Sequence, residues 1–328
     1  MMETGPSPAL FSQAAELIAA SRQPLLVCHV APDGDAIGSL LGLKWLLEAR
    51  GKIVTALSQD GVPENLRWLP GAASVVNEAG GLPDLVIGVD CSDPGRLGSV
   101  IDDTRFSRVP LINIDHHITN TEFGAVNIVD PLAASTAELL FGLAQTLGWE
   151  VPTTAAQCLL TGIVTDTLGF RTSNTTARTL FCAQQLMETG ASLHLITERV
   201  LERRSFDSIC LWGQALSAAR LEDSIAWTVI PLSMRAPCGS VEQKDSGIAS
   251  FLVSAQEAEV SVVVVERKEG VADVGFRSAG RVDVAAMALQ LGGGGHPKAA
   301  GCTINAPLAE AVEIALAATR AAVAEAIQ

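Results

Sequence analysis

The stretch VCHVAPDGDAIGSLLGL, Val27 to Leu43, decides how the chain reads. An apolar run ends at His29, Asp33 and Asp35 follow in a turn, and helical periodicity begins at Ala36. Pro32 and Gly34 are expected to keep that turn out of helical geometry, so that both carboxylates face inward. PLLVCHV, Pro24 to Val30, reads as a buried parallel strand. AIGSLLGLKWLLEARG, Ala36 to Gly51, reads as the helix after it, closed by Gly51. Strand, acidic turn and helix form the unit of a parallel α/β sheet. In such sheets ligands gather beyond the carboxyl ends of the strands.

Working outward, KIVTALSQD is a second strand. DLVIGVD (Asp84–Asp90) and VPLINID (Val109–Asp115) are two more, each apolar and then abruptly acidic. STAELLFGLAQTLGW and TAAQCLLTGIVTD carry the helical period. His29, Asp90 and Asp115 therefore all fall at strand ends, where one cleft can collect them. The charged stretch from Ser192 to Leu221 reads as one long connecting helix. IAWTVIPL, VSVVVVERKEGVADVGFRS and DVAAMALQL after it suggest a smaller domain. The expected fold class is α/β: an N-terminal parallel-sheet domain over 1–191, a helical connector over 192–221 and a mixed α/β domain over 222–328.

The chain has 328 residues, above the usual size for one core. With 48% apolar residues the composition is globular. No apolar run approaches the ~18 residues that cross a bilayer, so no membrane partner is expected. The first twenty residues lack the basic and apolar regions of a signal peptide. Seven dispersed cysteines without a CxxC pair read as reduced thiols of a cytoplasmic protein. The charge of −14, from 22 basic and 36 acidic residues, argues against a grip on long nucleic acid. An anionic ligand must be small and held by local charge, metal ions or backbone amides. Tyrosine is absent, so it has no chemical role. Oligomeric state stays open, a homodimer included.

Of the five histidines, His29, His116, His117 and His296 lie in motif-like segments, and His194 lies in an ordinary helix. Any one of them alone reads as a core or surface residue. Collected with Asp33, Asp35, Asp90, Asp115 and Asp166 they read differently, because clustered carboxylates without a cation repel one another. His29 and Asp33 can face one ion, Asp35 a neighbouring ion, and Asp90 can bridge the two. In IDHHITN (Ile114–Asn120), His116 can bind metal, His117 can meet substrate, and Asp115 can orient an imidazole. Mixed imidazole and carboxylate donors suit Mn²⁺ and its neighbours. Two ions about 3.5–4 Å apart are a common device for in-line attack on phosphorus.

HVAPDGDAIGS, GVDCSD, IDHHITN and GIVTDTLGFRTSNTT, in this order, resemble the four motifs of the DHH phosphoesterase superfamily. LGGGGHPKAAG, Leu291 to Gly301, is similar to the glycine-rich motif of the DHH-associated C-terminal domain. The resemblance spans about residues 10 to 325 and lies closest to the nano-RNase and pAp phosphatase branch. It implies that His29, Asp33 and Asp90 hold one metal, and that Asp35, Asp90, His116 and Asp166 hold the other, commonly manganese. It also implies that Arg171, Ser173 and Asn174 lie near the scissile phosphate. The nucleotide would meet Arg277 and Ser278 of VGFRS together with Gly294, Gly295, His296 and Lys298, the glycine run offering amide donors to an anion. The family pattern places glycine directly after TDT, where this chain has Leu168 and then Gly169.

The implied activity is two-metal hydrolysis of very short oligonucleotides to mononucleotides, with removal of the 3′-phosphate of pAp beside it. Arg171 would stabilise the phosphoryl oxygens and His117, backed by Asp115, would assist the leaving oxygen. A manganese inorganic pyrophosphatase shares the N-terminal motifs but carries a different C-terminal signature. A long-strand exonuclease needs a more basic path. A non-catalytic nucleotide sensor would have no reason to keep every metal ligand. Expected partners are short RNA or DNA oligonucleotides or nucleotides.

Overall fold

The computed structural model describes residues 8–100, 104–238 and 247–327. The chain divides into two compact units, Met1–Arg203 and Arg204–Gln328.

The first unit is built on a five-stranded, wholly parallel sheet: β1 (Pro24–Cys28), β2 (Thr55–Leu57), β3 (Leu85–Val89), β4 (Leu111–Asp115) and β5 (Val126–Val129), in the order β2-β1-β3-β4-β5. β1 and β3 are buried along their whole length, which is why they read as unbroken apolar runs. The helices are α1 (Pro8–Ala20), α2 (Gly34–Glu48), α3 (Thr136–Thr146), α4 (Thr153–Asp166), α5 (Ala177–Glu188) and α6 (Leu193–Ile196). One core unites Leu26, Ile87 and Ile112 of the sheet with Ile37, Leu41, Leu140 and Leu159 of the helices. On the opposite face Leu25, Val27 and Val86 pack against Leu97 and Phe106. Strand order reverses between β1 and β3, so the ligand crevice belongs at their carboxyl ends.

α2 and α4 pack antiparallel through glycine. A Cβ on Gly38 would lie 2.7 Å from both the Cys158 carbonyl oxygen and the Gly162 nitrogen. A Cβ on Gly162 would lie 2.5 Å from Asp35 Oδ1 and 2.7 Å from the Ala137 Cβ. Gly34 in turn abuts Thr165. This corrects the expected turn: Gly34 is the first helical residue, and Asp35 sits inside the first turn of α2. What Gly34 supplies is closeness, not an irregular backbone. The β2 strand is likewise shorter than KIVTALSQD suggests, and α1 and β5 add to the expected elements.

The expected single helix over 192–221 is broken. After α6, residues Thr197–Glu202 form a π-helical turn, and Arg203 is extended at φ −71°, ψ 129°. Ser205 then caps a new helix, α7 (Phe206–Ser217), its hydroxyl oxygen accepting the Ser208 N–H. An extended residue and a fresh cap cannot occur inside one continuous helix.

The second unit holds a six-stranded mixed sheet of β6 (Arg220–Glu222), β7 (Ile225–Ile230), β8 (Val260–Lys268), β9 (Val271–Ser278), β10 (Gly294–His296) and β11 (Ala299–Ile304), in the order β10-β11-β9-β8-β7-β6. Among the described residues only β7 and β8 pair in parallel. Helices α8 (Leu232–Arg235), α9 (Ile248–Leu252), α10 (Val284–Gln290) and α11 (Leu308–Ile327) complete it. Val262, Val274 and Phe276 of the sheet pack with Met287 of α10 and Leu316 of α11.

The cysteines differ from the expectation of a wholly reduced set. Cys210 of α7 is bonded to Cys238, with Cα atoms 5.8 Å apart, while Cys28, Cys91, Cys158, Cys182 and Cys302 are buried singly. The two partners stand 28 residues apart in the chain and meet only because α7 folds against the segment after α8.

Candidate metal centre

The predicted acids and histidines of the first unit converge at the carboxyl ends of β1, β3 and β4. His29 follows β1 and is 4% exposed. Its Nδ1 donates to the Val30 carbonyl at 2.8 Å, which turns Nε2 toward Asp33 Oδ1 (3.8 Å) and Asp90 Oδ2 (3.5 Å). His116 is held in the same manner: Nδ1 donates to the Ala133 carbonyl at 3.3 Å, and Nε2 faces Asp166 Oδ2 (3.4 Å), Asp90 Oδ1 (3.6 Å) and Asp35 Oδ2 (4.0 Å). Fixing one ring nitrogen sets the tautomer and presents the other as a ligand atom.

Asp90 stands between these sets. It follows β3 with φ +60°, in the left-handed region that aspartate tolerates better than most residues. The bend aims its two oxygens at different histidines, Oδ2 at His29 and Oδ1 at His116. Three overlapping groups have ligand atoms close enough to share an ion: His29, Asp33 and Asp90; Asp35, His116 and Asp166; and Asp90, His116 and His117. Among the described residues the ion pairs of Asp35, Asp90 and Asp166 are all with histidines, not with lysine or arginine. Buried acids compensated by weak cations alone fit a divalent ion.

Asp33 is the N-cap of α2: its Oδ1 accepts the Asp35 N–H at 3.1 Å and the Ala36 N–H at 3.0 Å. Burial opposes its ionisation, but His29 and these amides outweigh burial and hold it at about 2. Asp35 is raised well above the ordinary carboxylate range, first by burial and then by Asp90 and Asp166. Burial, then Asp90 and Asp33, lift Asp166 to about 7. Burial disfavours the charged His29, yet its contacts to Asp33 and Asp90 raise it to about 10.

A second layer holds this one. His117 Nδ1 donates to Asp115 Oδ1 at 2.7 Å, and that bond, against burial, raises His117 to about 9. Asn120 Nδ2 donates to Asp115 Oδ2 at 2.6 Å and to Asn113 Oδ1 at 2.8 Å, and Asn113 donates to the Cys91 carbonyl at 3.0 Å. Sequence reasoning passed over Asn120 and Asn113, although IDHHITN contains the first and VPLINID the second. It also passed over the segment 130–138. There Ala133 holds His116, Thr136 contacts Asp35 and Asp90, and Glu138 and Asp130 are tied together by Arg178.

After Asp166 the backbone runs through three left-handed residues: Leu168 (φ +48°), Gly169 (φ +73°) and Phe170 (φ +66°). Glycine would take the first of these without strain, so the departure from TDT-Gly costs conformational energy at Leu168 and not the turn itself. The turn leaves Arg171 exposed, its Nε donating to the Leu168 carbonyl at 2.7 Å. Ser173 and Asn174 are also exposed, and Asn174 Nδ2 donates to the Ala134 carbonyl at 3.4 Å.

In the second unit the glycine-rich segment is not an open loop. Gly294–His296 pairs with β11, and Pro297 and Lys298 form the turn. The amides of Gly292 and Gly293 donate to Leu289 and Ala288 of α10, so they are not offered to an anion. Gly293 is needed for approach, since a Cβ there would lie 2.5 Å from that of Cys302. Register places His296, Ala299 and Arg277 side by side across β10, β11 and β9. Paired residues share a face, so His296 and Arg277 flank a small alanine floor. Gly294, Gly295, His296 and Lys298 are exposed. Ser278, one residue on, points to the other face, where it is 7% exposed and accepts the Gly280 N–H. The structure therefore separates Ser278 from Arg277.

The molecule can be compared with known proteins on this basis. Residues 24–163 match the DHH family N-terminal domain and residues 236–325 match the DHHA1 domain. A bifunctional oligoribonuclease and PAP phosphatase, NrnA, of Thermus thermophilus is 36% identical over 93% of this chain and 92% of its own. The chain belongs to the DHH phosphoesterase family. It is a metal-dependent phosphoesterase. The NrnA of Bacillus subtilis is 32% identical over 84% of this chain and 87% of its own. Among solved structures, an exopolyphosphatase-related protein from Bacteroides fragilis superposes with a TM-score of 0.93 over 100% of both chains at 25% identity.

The contact of Gly162 with the centre gives a direct test. Gly162→Ala places a methyl against Asp35, and overpacking of this kind typically costs about 1–3 kcal/mol. Thermal unfolding should show that loss, accompanied by weaker metal binding. A variant as stable as the parent, with unchanged metal affinity, would show that α2 and α4 can separate freely.

Proposed function

We propose that this chain is a two-metal phosphodiesterase of very short oligonucleotides, releasing mononucleotides, and that it also removes the 3′-phosphate of pAp. The observation that carries this reading is the division of Asp90, with one oxygen 3.5 Å from His29 and the other 3.6 Å from His116. A carboxylate so divided suits two neighbouring cations. His29, Asp33 and Asp90 would hold one, and Asp35, Asp90, His116 and Asp166 the other. Their mixed donors favour Mn²⁺. When bound, such ions activate water and stabilise charge at phosphorus.

The protein's own groups act around them. His117, steadied by its hydrogen bond to Asp115, hands a proton to the leaving oxygen. Arg171, exposed in the turn that follows Asp166, meets the phosphoryl oxygens, with Ser173 and Asn174 near it. On the second unit, Arg277, His296 and Lys298, with Gly294 and Gly295, hold the nucleotide. The names of the Thermus and Bacillus relatives support the substrate class. The charge of −14 supports short substrates over long ones, and no described helix is long and apolar enough to cross a membrane. A cytoplasmic site of action suits such a substrate.

A panel of 5′-phosphorylated RNAs from two to about twenty nucleotides, with pAp and pyrophosphate, tests this in Mn²⁺ at two salt concentrations. Cleavage should fall steeply beyond roughly five nucleotides, with a shallow salt dependence because few phosphates are neutralised. Pyrophosphate should survive. Equal rates for the shortest and longest RNAs would overturn the size preference, and rapid pyrophosphate hydrolysis would favour the pyrophosphatase reading.

A further inference from the structure

The start of α3 reaches two of the proposed ligand carboxylates, Asp35 and the shared Asp90. The Thr136 N–H donates to Asp35 Oδ2 at 2.6 Å, and the Ala137 N–H donates to Asp35 Oδ1 at 3.1 Å. The Thr136 hydroxyl donates to Asp90 Oδ1 at 2.9 Å. Thr136 is fully buried at 0% exposure. Ser135 caps the helix, its hydroxyl accepting the Glu138 N–H at 3.1 Å, which orients the amides that follow. Ser39, one turn along α2, adds a third donor to the Asp35 carboxylate, at Oδ1 and 3.1 Å.

These bonds have a geometric consequence. A carboxylate on Cβ–Cγ rotates readily unless its oxygens are held. Asp35 is held through both oxygens. Asp90 accepts the Thr136 hydroxyl at Oδ1, while its Oδ2 faces only the His29 ring at the longer distance of 3.5 Å, so the Thr136 bond is the shorter restraint on which oxygen faces His116 and which faces His29. Sequence gave no hint of it, since Thr136 lies 46 residues from Asp90 and 101 from Asp35.

We propose that Thr136 is a positioning residue for the metal centre, its hydroxyl setting the rotation of Asp90 so that this carboxylate can serve two cations at once. The proposal rests on the two-metal reading above. Thr136→Val keeps the branched shape and both backbone N–H groups but deletes the donor. Thr136→Ser keeps the donor and deletes a methyl. Groups that orient metal ligands typically contribute about 10–100-fold in metal affinity or activity.

The experiment is calorimetric titration of Mn²⁺ into the full chain as parent, Thr136→Val, Thr136→Ser and Asp90→Ala, with circular dichroism on each metal-free protein. Thr136→Val should bind Mn²⁺ about 10–100-fold more weakly, at the site that Asp90→Ala also weakens, with unaltered secondary structure. Thr136→Ser should lie within about threefold of the parent, as expected for a retained bond. Thr136→Val with parental affinity would overturn the clamp while the metal centre stands. Loss of binding in Thr136→Ser equal to that in Thr136→Val would overturn it too, by showing that packing and not the hydroxyl matters. If Thr136→Val does not fold, the same comparison is read from Thr136→Ser against Thr136→Ala. A parent that binds no Mn²⁺ would overturn the two-metal reading and the clamp together.

Discussion

Asp90→Ala is expected to lower kcat/KM on a dinucleotide by about 10³-fold or more, beyond the 10²–10³ typical of one lost electrostatic donor. The alanine removes both oxygens at once, the one facing His29 and the one facing His116. Saturating Mn²⁺ should not restore the rate, because the loss is one of arrangement as well as affinity. The fold should survive. Asp90 is 2% exposed and has no lysine or arginine partner among the described residues, so removing its charge relieves repulsion in the metal-free state. The metal-free variant loses that repulsion together with the Thr136 bond and the His29 contact, and circular dichroism should show unaltered secondary structure. Near-parental turnover at high Mn²⁺ would end the bridging role.

Chelation should lower the melting temperature of the first unit, and more so at higher pH. Asp166 at about 7 and Asp35, also raised, are carboxyls whose native proton affinity exceeds that of the unfolded chain. Between the ordinary value of 3.8 and about 7 the native state binds more protons at Asp166, so stability falls as pH rises through that window. His29 and His117, raised to about 10 and about 9, contribute stability that is complete below 6.5 and is lost as pH rises through those values. Both effects weaken the metal-free protein in the same direction. Mn²⁺ replaces these protons, so its stabilising effect should be larger at pH 8 than at pH 6. At a hundredfold excess over Kd the gain is about 2.7 kcal/mol. For a unit of about 200 residues that corresponds to roughly 5–10 °C. Differential scanning calorimetry with and without chelator at the two pH values measures it. A metal effect independent of pH would show that these groups do not share the cation.

Much of the centre was legible because of where parallel strands end. β1, β3 and β4 are buried and read as apolar runs, so the polar residues that stop them, His29, Asp90 and Asp115, stand out at once. The four-residue β5 has no comparable contrast, and α1 carried no motif. What local pattern cannot show is a bond between distant segments. Thr136 to Asp35, Arg178 to Asp130 and Glu138, and Cys210 to Cys238 are all tertiary facts, and none has a signature in spacing. In the glycine-rich stretch the pattern did not show which glycines are needed for closeness: a Cβ on Gly293 or Gly295 would collide with β11, whereas Gly292 and Gly294 have open space around them.

The glycine contact between α2 and α4 has a bearing on how this centre can change over mutational time. Asp35 opens one helix and Asp166 closes the other, and their separation is set by backbone lying on backbone at Gly38 and Gly162. No side chain there can be trimmed or lengthened by small steps, since the smallest addition already collides. Elsewhere the leucines and isoleucines of the core can be exchanged for others of similar volume and the sheet will adjust. Sequence drift can thus run far through the body of the first unit while the spacing of its two helix-borne carboxylates stays discrete, either kept or lost.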